Sequence, residues 1–388
     1  MKQRLAIGGL MFLMANCLGM AWLAGIRPLQ GPPHAIASAP PQAASSSPTP
    51  VPVAVPDARA PALDFQAGFS LLVYGAQPDV SDRYTRLLDH LVRLNVNSLS
   101  IVFPLYTDGV TASAVHSGAD TPSDDGLATM VRMARARHLA VMLRPILDEA
   151  TVIPAWRGAI RPRDPAAWFA SYGSVVLSYA RFAQREGVAS LAVGTEFNSM
   201  EPYLADWNNL ISAVRHVFSG EITYAFNFGT SFQTGFWTSL DFVSMDAYFP
   251  LDHTPAVATT EQMAADWQRW LAMLQRIDEP FNKPIVFTEV GVVPETGAHL
   301  RPWDSTVKRA LDLEEQRAYY EATCETTASV VQGLCWWATG PNLPGDLPGD
   351  LEVTDYNPLG RPAEKVVRAC YASIEGKVVP TVGRAVPS

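Results

Sequence analysis

Between about Leu63 and Val378 short apolar runs and amphipathic stretches take turns along the chain, and this alternation limits the fold more than any single residue does. The runs Gly68–Val73, Ser98–Pro104, Ala140–Pro145, Ser190–Gly194, Ile222–Phe226, Phe242–Met245, Pro284–Thr288 and Leu334–Trp337 are too short for helices and read as buried parallel strands. Helical periodicity fills Asp82–Leu94, where Leu87, Leu88, Leu91 and Leu94 share a face, and Asp124–Arg137, with Ser123 as its cap. It returns at Ala167–Glu186, Leu204–Phe218, Glu261–Arg276, Glu314–Val331 and Ala363–Tyr371. Between the fifth and sixth strands the helical signal is weak. Eight strand–helix units of this length predict a (β/α)8 TIM barrel. An open doubly wound sheet is the competing arrangement, but no Gly-rich phosphate turn comes after the first strand.

Ahead of the barrel lie two segments of other composition. Residues 1–29 read as a signal peptide or signal anchor: Lys2 and Arg4 precede an apolar run from Leu5 to about Ile26, closed by Arg27-Pro28. Basic residues ahead of the run predict export of the remaining chain, to the periplasm or another extracytoplasmic space, tethered to the membrane if the leader stays uncleaved. Residues 30–62 are rich in Pro, Ala and Ser, with few charges or aromatics, and read as an extended linker. Residues 63–378 form the catalytic domain and 379–388 a tail. A net charge of -9 speaks against nucleic acid as a partner. No feature fixes the oligomeric state, and a monomer is the expectation. Cys335 falls within an apolar strand as a core thiol; Cys324 and Cys370 fall on consecutive helices, where a disulfide is open.

In a barrel the chemistry stands at the carboxyl ends of the strands. Strand three ends with Arg144 and Asp148, strand four with Glu196, and strand five with Asn227. Strand six ends with Asp246 and Tyr248, strand seven with Glu289, strand eight with Trp336 and Trp337. One such residue is an ordinary capping or surface group; polar residues at six consecutive strand ends make a site. Two Glu from strands four and seven suit glycoside hydrolysis, which needs one protonated and one ionised carboxyl flanking a sugar. Arg144 and Tyr248 are placed to hold the ionised one, and Glu196 is expected to have fewer positive neighbours. If Cys335 faces the barrel axis, alternation aims Trp337 over the site as a shelf for a sugar ring and Trp336 outward. No cofactor is expected, and no metal: His138, His216 and His253 sit in or beside helices and loops rather than at strand ends.

The runs Leu143-Arg-Pro-Ile-Leu-Asp148, Trp168-Phe-Ala-Ser-Tyr172, Val193-Gly-Thr-Glu196, Ile222-Thr-Tyr-Ala-Phe-Asn227, Asp246-Ala-Tyr-Phe-Pro-Leu251, Phe287-Thr-Glu-Val-Gly291 and Tyr356-Asn-Pro-Leu-Gly-Arg-Pro362 together resemble glycoside hydrolase family 113. This is a family in the large clan of retaining barrel glycosidases. The resemblance implies Glu196 as acid/base, Glu289 as nucleophile, and a β-linked polysaccharide as substrate, since family members are associated with β-1,4-mannan hydrolysis. It also leads one to expect Lys where Arg144 stands and Tyr where Val292 stands. An envelope polysaccharide or exopolysaccharide is the other substrate the leader suggests. A barrel that binds carbohydrate without cleaving it is the alternative function.

Overall fold

The apolar runs do what their length and composition predict. In a computed structural model describing residues 63–75, 82–149, 156–230, 235–281, 283–340 and 354–375, eight parallel strands pair in chain order and the last returns to the first. They are β1 (Gln66–Leu72), β2 (Ser98–Thr107), β3 (Ala140–Glu149), β4 (Ser190–Thr195), β5 (Glu221–Asn227), β6 (Val243–Asp246), β7 (Ile285–Val290) and β8 (Gly333–Thr339). The sheet closes into the (β/α)8 barrel and leaves no edge unpaired. Leader, linker and tail lie outside the described residues, and no described helix is long and apolar enough to cross a membrane.

Among the described residues seven α-helices wrap the barrel: α1 (Asp82–Arg93), α2 (Asp124–Arg135), α3 (Pro165–Glu186), α4 (Leu204–Arg215), α5 (Thr260–Phe281), α6 (Leu313–Thr327) and α7 (Pro362–Glu375). Between β5 and β6, where the helical signal is weak, the described residues hold a 3-10 turn, Gly235–Ser239. Starts are fixed by side chains that accept from orphan amides: Ser123 from Gly126, Asp164 from Ala167, and Asp312 from Glu314 and Glu315. The strands β2 and β3 outrun their expected ends at Pro104 and Pro145, because their register continues from Val102↔Arg144 to Thr107↔Glu149. Cys324 and Cys370 form a disulfide that joins α6 to α7. The Tyr371 hydroxyl of α7 reaches the carbonyls of Gly68 and Leu334, both at 2.7 Å, and so pins that helix over the seam between β8 and β1.

Below the mouth the barrel interior holds a small apolar cluster of Met142, Phe242 and Val286, and several small or polar residues besides. Ser70 donates to the Thr288 carbonyl at 3.1 Å, Thr223 and Ser244 share a hydrogen bond of 2.7 Å, and Cys335 is a buried free thiol against Gly68. A filling of this size leaves room for one long side chain, Arg144, to lie fully buried beneath the mouth. Other large aromatics pack outside instead. Trp168, Tyr172, Phe197, Trp207 and Tyr224 cluster behind β4 and β5, and Tyr172 donates to the Val193 carbonyl at 2.9 Å.

Candidate active site

Glu196 and Glu289 reach the mouth by the same local device. In β4 the register with β5 passes from Ala192↔Thr223 to Thr195↔Ala225, so β4 holds one extra residue there. In β7 it passes from Met245↔Phe287 on β6 to Asp246↔Glu289, again one extra. Such a bulge breaks strict alternation and lets two successive residues address the same space. Thr195 and Thr288 accordingly turn toward Arg144 and Asp246, and the Glu after each is presented to the site. At Glu196 the backbone is left-handed, with φ of 53°, a conformation disfavoured by roughly 1–2 kcal/mol for a residue with a Cβ. It is held by the Glu196 amide on the Ala225 carbonyl at 2.8 Å. Gly194 is required beside it, since a Cβ there would stand 2.6 Å from the Tyr224 ring.

Glu289 sits in a cage built from strand residues. Its Oε1 lies 2.6 Å from Arg144 Nη2, and its Oε2 accepts from the Tyr248 hydroxyl at 2.7 Å. The same Nη2 lies 2.5 Å from Asp246 Oδ2, while Thr288 donates to Asp246 Oδ1 at 3.0 Å. Arg144 completes its contacts on Thr195 Oγ1 and the Thr288 carbonyl, each at 3.3 Å. One cation thus serves two buried acids. Burial pushes both carboxyls up from their ordinary range and Arg144 pulls both down, with a net rise at each. Burial works against the Arg144 charge too, but Asp246 and Glu289 outweigh it and raise the guanidinium above its ordinary value.

Glu196 is held differently, and one expectation is overturned. It is not poorly supplied with positive neighbours: Arg157 Nη1 lies 2.8 Å from its Oε2. Trp156 Nε1 donates to the same oxygen at 3.0 Å, and Asn227 Nδ2 donates to Oε1 at 2.7 Å. Trp156 and Arg157 belong to a short 3-10 turn between β3 and α3, Arg157–Ala159 and its cap. The sequence there has no period that would aim its side chains. Behind Glu196, Glu201 is buried too, receiving Tyr224 and Thr230 hydroxyls at 3.4 Å each, and burial pushes its carboxyl up to about 7.

The other expected residues divide. Trp337 stands beside Arg144, whose Cζ is 5.9 Å from its ring centroid, and the peptide after it is cis. Trp336 is corrected: it is fully buried outside the barrel, stacked on Tyr320 of α6 at 4.2 Å, and cannot meet a substrate. The parity that sends Trp337 inward sends its neighbour out. Asp148 pairs with Tyr106 across β2 and β3, and its side chain lies outside the described residues. Val292 is buried and its carbonyl accepts from Gln316 at 3.0 Å. Among the described residues, Asp252, His253 and Asp266 cluster as metal ligands do. Arg269 already fills that place, at 2.8 Å from Asp252 and 3.1 Å from both Asp266 and His253.

No curated protein sequence matches the chain. Among solved structures, the GH113 β-mannanase AaManA from Alicyclobacillus acidocaldarius in complex with ManMIm is 28% identical, with a TM-score of 0.71 over 80% of this chain and 98% of that one. A second GH113 β-1,4-mannanase, determined as a complex, is 26% identical with a TM-score of 0.71, over 80% of this chain and 100% of that one. A glycoside hydrolase family 5 mannosidase from Rhizomucor miehei, 11% identical with a TM-score of 0.52 over 80% of this chain and 94% of that one, shares the barrel alone. The family model described as Glycoside Hydrolase Family 113 matches residues 80–345, a span that runs from α1 past β8 and takes in both bulged strands with their glutamates. The chain is a glycoside hydrolase of the β-glycosidase kind, and it belongs to glycoside hydrolase family 113.

Proposed function

We propose that the protein is a retaining β-glycoside hydrolase acting on a β-1,4-mannan-like polysaccharide. Glu289 is the nucleophile and Glu196 the acid/base. The observation that carries this reading is the pair of buried carboxyls that the bulges of β4 and β7 bring to one barrel mouth, near enough for Glu196 to act on the charge of Glu289. Glu289 has an arginine on one oxygen and a tyrosine hydroxyl on the other, contacts that favour the ionised form and aim it. Glu196, on the other bulged strand, serves the leaving oxygen.

In the first step Glu289 attacks the anomeric carbon while Glu196 passes a proton to the departing oxygen. In the second, Glu196 takes a proton from water, which displaces Glu289 from the sugar. Asn227 holds Glu196 in line, and Trp337 offers a face to the sugar ring. The two β-mannanases at 26–28% identity support mannan as the substrate class. The leader read from the sequence supports export of the domain across the cytoplasmic membrane, and the Cys324–Cys370 disulfide is in keeping with an oxidising compartment. An envelope or exopolysaccharide is the second substrate, favoured by that location.

Proton NMR of the first-formed product from β-1,4-mannopentaose tests mechanism and substrate together. The β-anomer is expected at once, with mutarotation after it. An α-anomer as first product ends the retaining assignment, and cleavage of β-glucans or native exopolysaccharide in preference to mannan ends the substrate assignment.

A further inference from the structure

Among the described residues, the groups that hydrogen-bond the Glu196 carboxyl are donors. Asn227 presents its amide NH2, because its Oδ1 is already taken by the Gly229 amide at 2.9 Å. Trp156 and Arg157 have no acceptor to offer, and both lie on Oε2. Asn227 alone lies on Oε1, which leaves that oxygen a position for the proton. The general acid must carry a proton when substrate arrives.

We propose that Arg157 is a positioning residue for the acid/base step, one that clasps Glu196 by its Oε2. The inference rests on Glu196 being the acid/base. With Oε2 held by the clasp, Oε1 is turned to pass its proton to the leaving oxygen.

The clasp is built, not incidental. Arg157 Nε is fixed on the Leu147 carbonyl at 3.1 Å, so its fork points at Glu196. The Gly158 carbonyl accepts from the Ser199 amide at 3.1 Å, which ties the turn to the loop just after Glu196. A Cβ on Gly158 would run into the Trp156 indole, so glycine lets that ring fold back with its N–H toward Glu196. Other charges face Glu196 from every side: Arg144 on β3, Asp246 on β6, Glu289 on β7, and Glu201 on its own loop. Three of these four are acids. Arg157 is the cation in direct contact.

Leaving groups separate this role from a structural one. In the full-length protein, Arg157→Gln and Trp156→Phe are compared with the wild type on β-1,4-mannopentaose, whose leaving sugar needs a proton. The second probe is 2,4-dinitrophenyl β-mannobioside, whose leaving group departs unaided. With mannopentaose, Arg157→Gln should lower kcat/KM about tenfold. The dinitrophenyl substrate should show a much smaller loss, and Arg157→Lys should restore part of the activity on mannopentaose. Trp156→Phe should show the same dependence on the leaving group with a smaller loss, and it carries the test if Arg157→Gln does not fold. Equal losses on both substrates would overturn the clasp. Full activity of Glu196→Ala on mannopentaose would instead overturn the acid/base assignment itself, whatever Arg157 does.

Discussion

Glu289 and Glu196 face each other across one barrel mouth, and they are held by different kinds of structure. The partners of Glu289 are a strand residue and one just past a strand: Arg144 on β3, itself braced by Asp246 on β6, and Tyr248 two residues beyond Asp246. The ladder register that closes the barrel also sets these side chains, so the nucleophile is preorganised by the fold itself. Glu196 shares in this only through Asn227 at the end of β5. Its other two partners come from a turn between β3 and α3, stitched to the site by Ser199 and the Leu147 carbonyl. One wall of the mouth is made by topology and the other by a loop. Chemistry common to a large clan belongs on the first, and the second is where a chain is free to differ.

The largest expected effect is the asymmetry between the two glutamates themselves. Glu289→Ala should abolish turnover on every substrate, a loss of about four orders of magnitude or more, because no leaving group excuses a missing nucleophile. Glu196→Ala should lose about 10²–10⁴ on mannopentaose and far less on the dinitrophenyl glycoside. With azide, Glu196→Ala should give the β-glycosyl azide, and Glu289→Ala the α-azide or none. Equal losses in both variants on both substrates would show that the two walls do not divide the work as described.

The same division explains what the sequence revealed. Arg144, Glu196, Asn227, Asp246, Tyr248, Glu289 and Trp337 are legible because strand ends come at countable positions and alternate in facing. Trp336 shows the limit of the method: two successive Trp invite a shared role, and only the parity of β8 separates them. The bulges in β4 and β7 are invisible as sequence, since an extra residue leaves no period behind. Trp156 and Arg157 were missed for a plainer reason. Loop residues are aimed by long-range hydrogen bonds, here to Leu147 and Ser199, and nothing local encodes those. Glu201 is not legible in the sequence because its burial depends on Tyr224 and Thr230, contributed by β5 and the loop after it.

Arg144 tests how far the first wall is structural as well as catalytic. It is fully buried and holds two buried carboxylates, so its removal leaves both without a cation. Arg144→Met should destabilise the fold by about 3–5 kcal/mol at neutral pH, as breaking a buried ion pair from one side does. The loss should shrink in acid, where Asp246 and Glu289 can take up protons. Arg157→Met, on the loop wall, should cost markedly less stability. Guanidinium melts of the two variants at pH 5 and pH 7.5 make the measurement, and equal costs would mean the loop wall is as much a part of the framework as the strands.

Glu201 gives the smallest effect and the finest test, because it asks whether charge behind the loop wall is kept low. Its folded value of about 7 lies above the roughly 4.3 of an unfolded glutamate, so the native state holds this proton more tightly than the unfolded chain does. That contribution to stability is complete below about pH 4, declines as pH rises through 7, and is absent above it. Gln in its place cannot ionise. Glu201→Gln should therefore match the wild type near pH 4 and exceed it by up to about 3 kcal/mol at pH 8, an upper bound set by the size of the shift. Taking the difference between the two proteins at each pH cancels every other titrating group they share. A difference that does not grow from pH 4 to pH 8 would mean Glu201 is already charged in the native state. Glu196 would then carry a second carboxylate at its back throughout the working range, and Arg157 would be answering to two acids, as Arg144 does on the other wall.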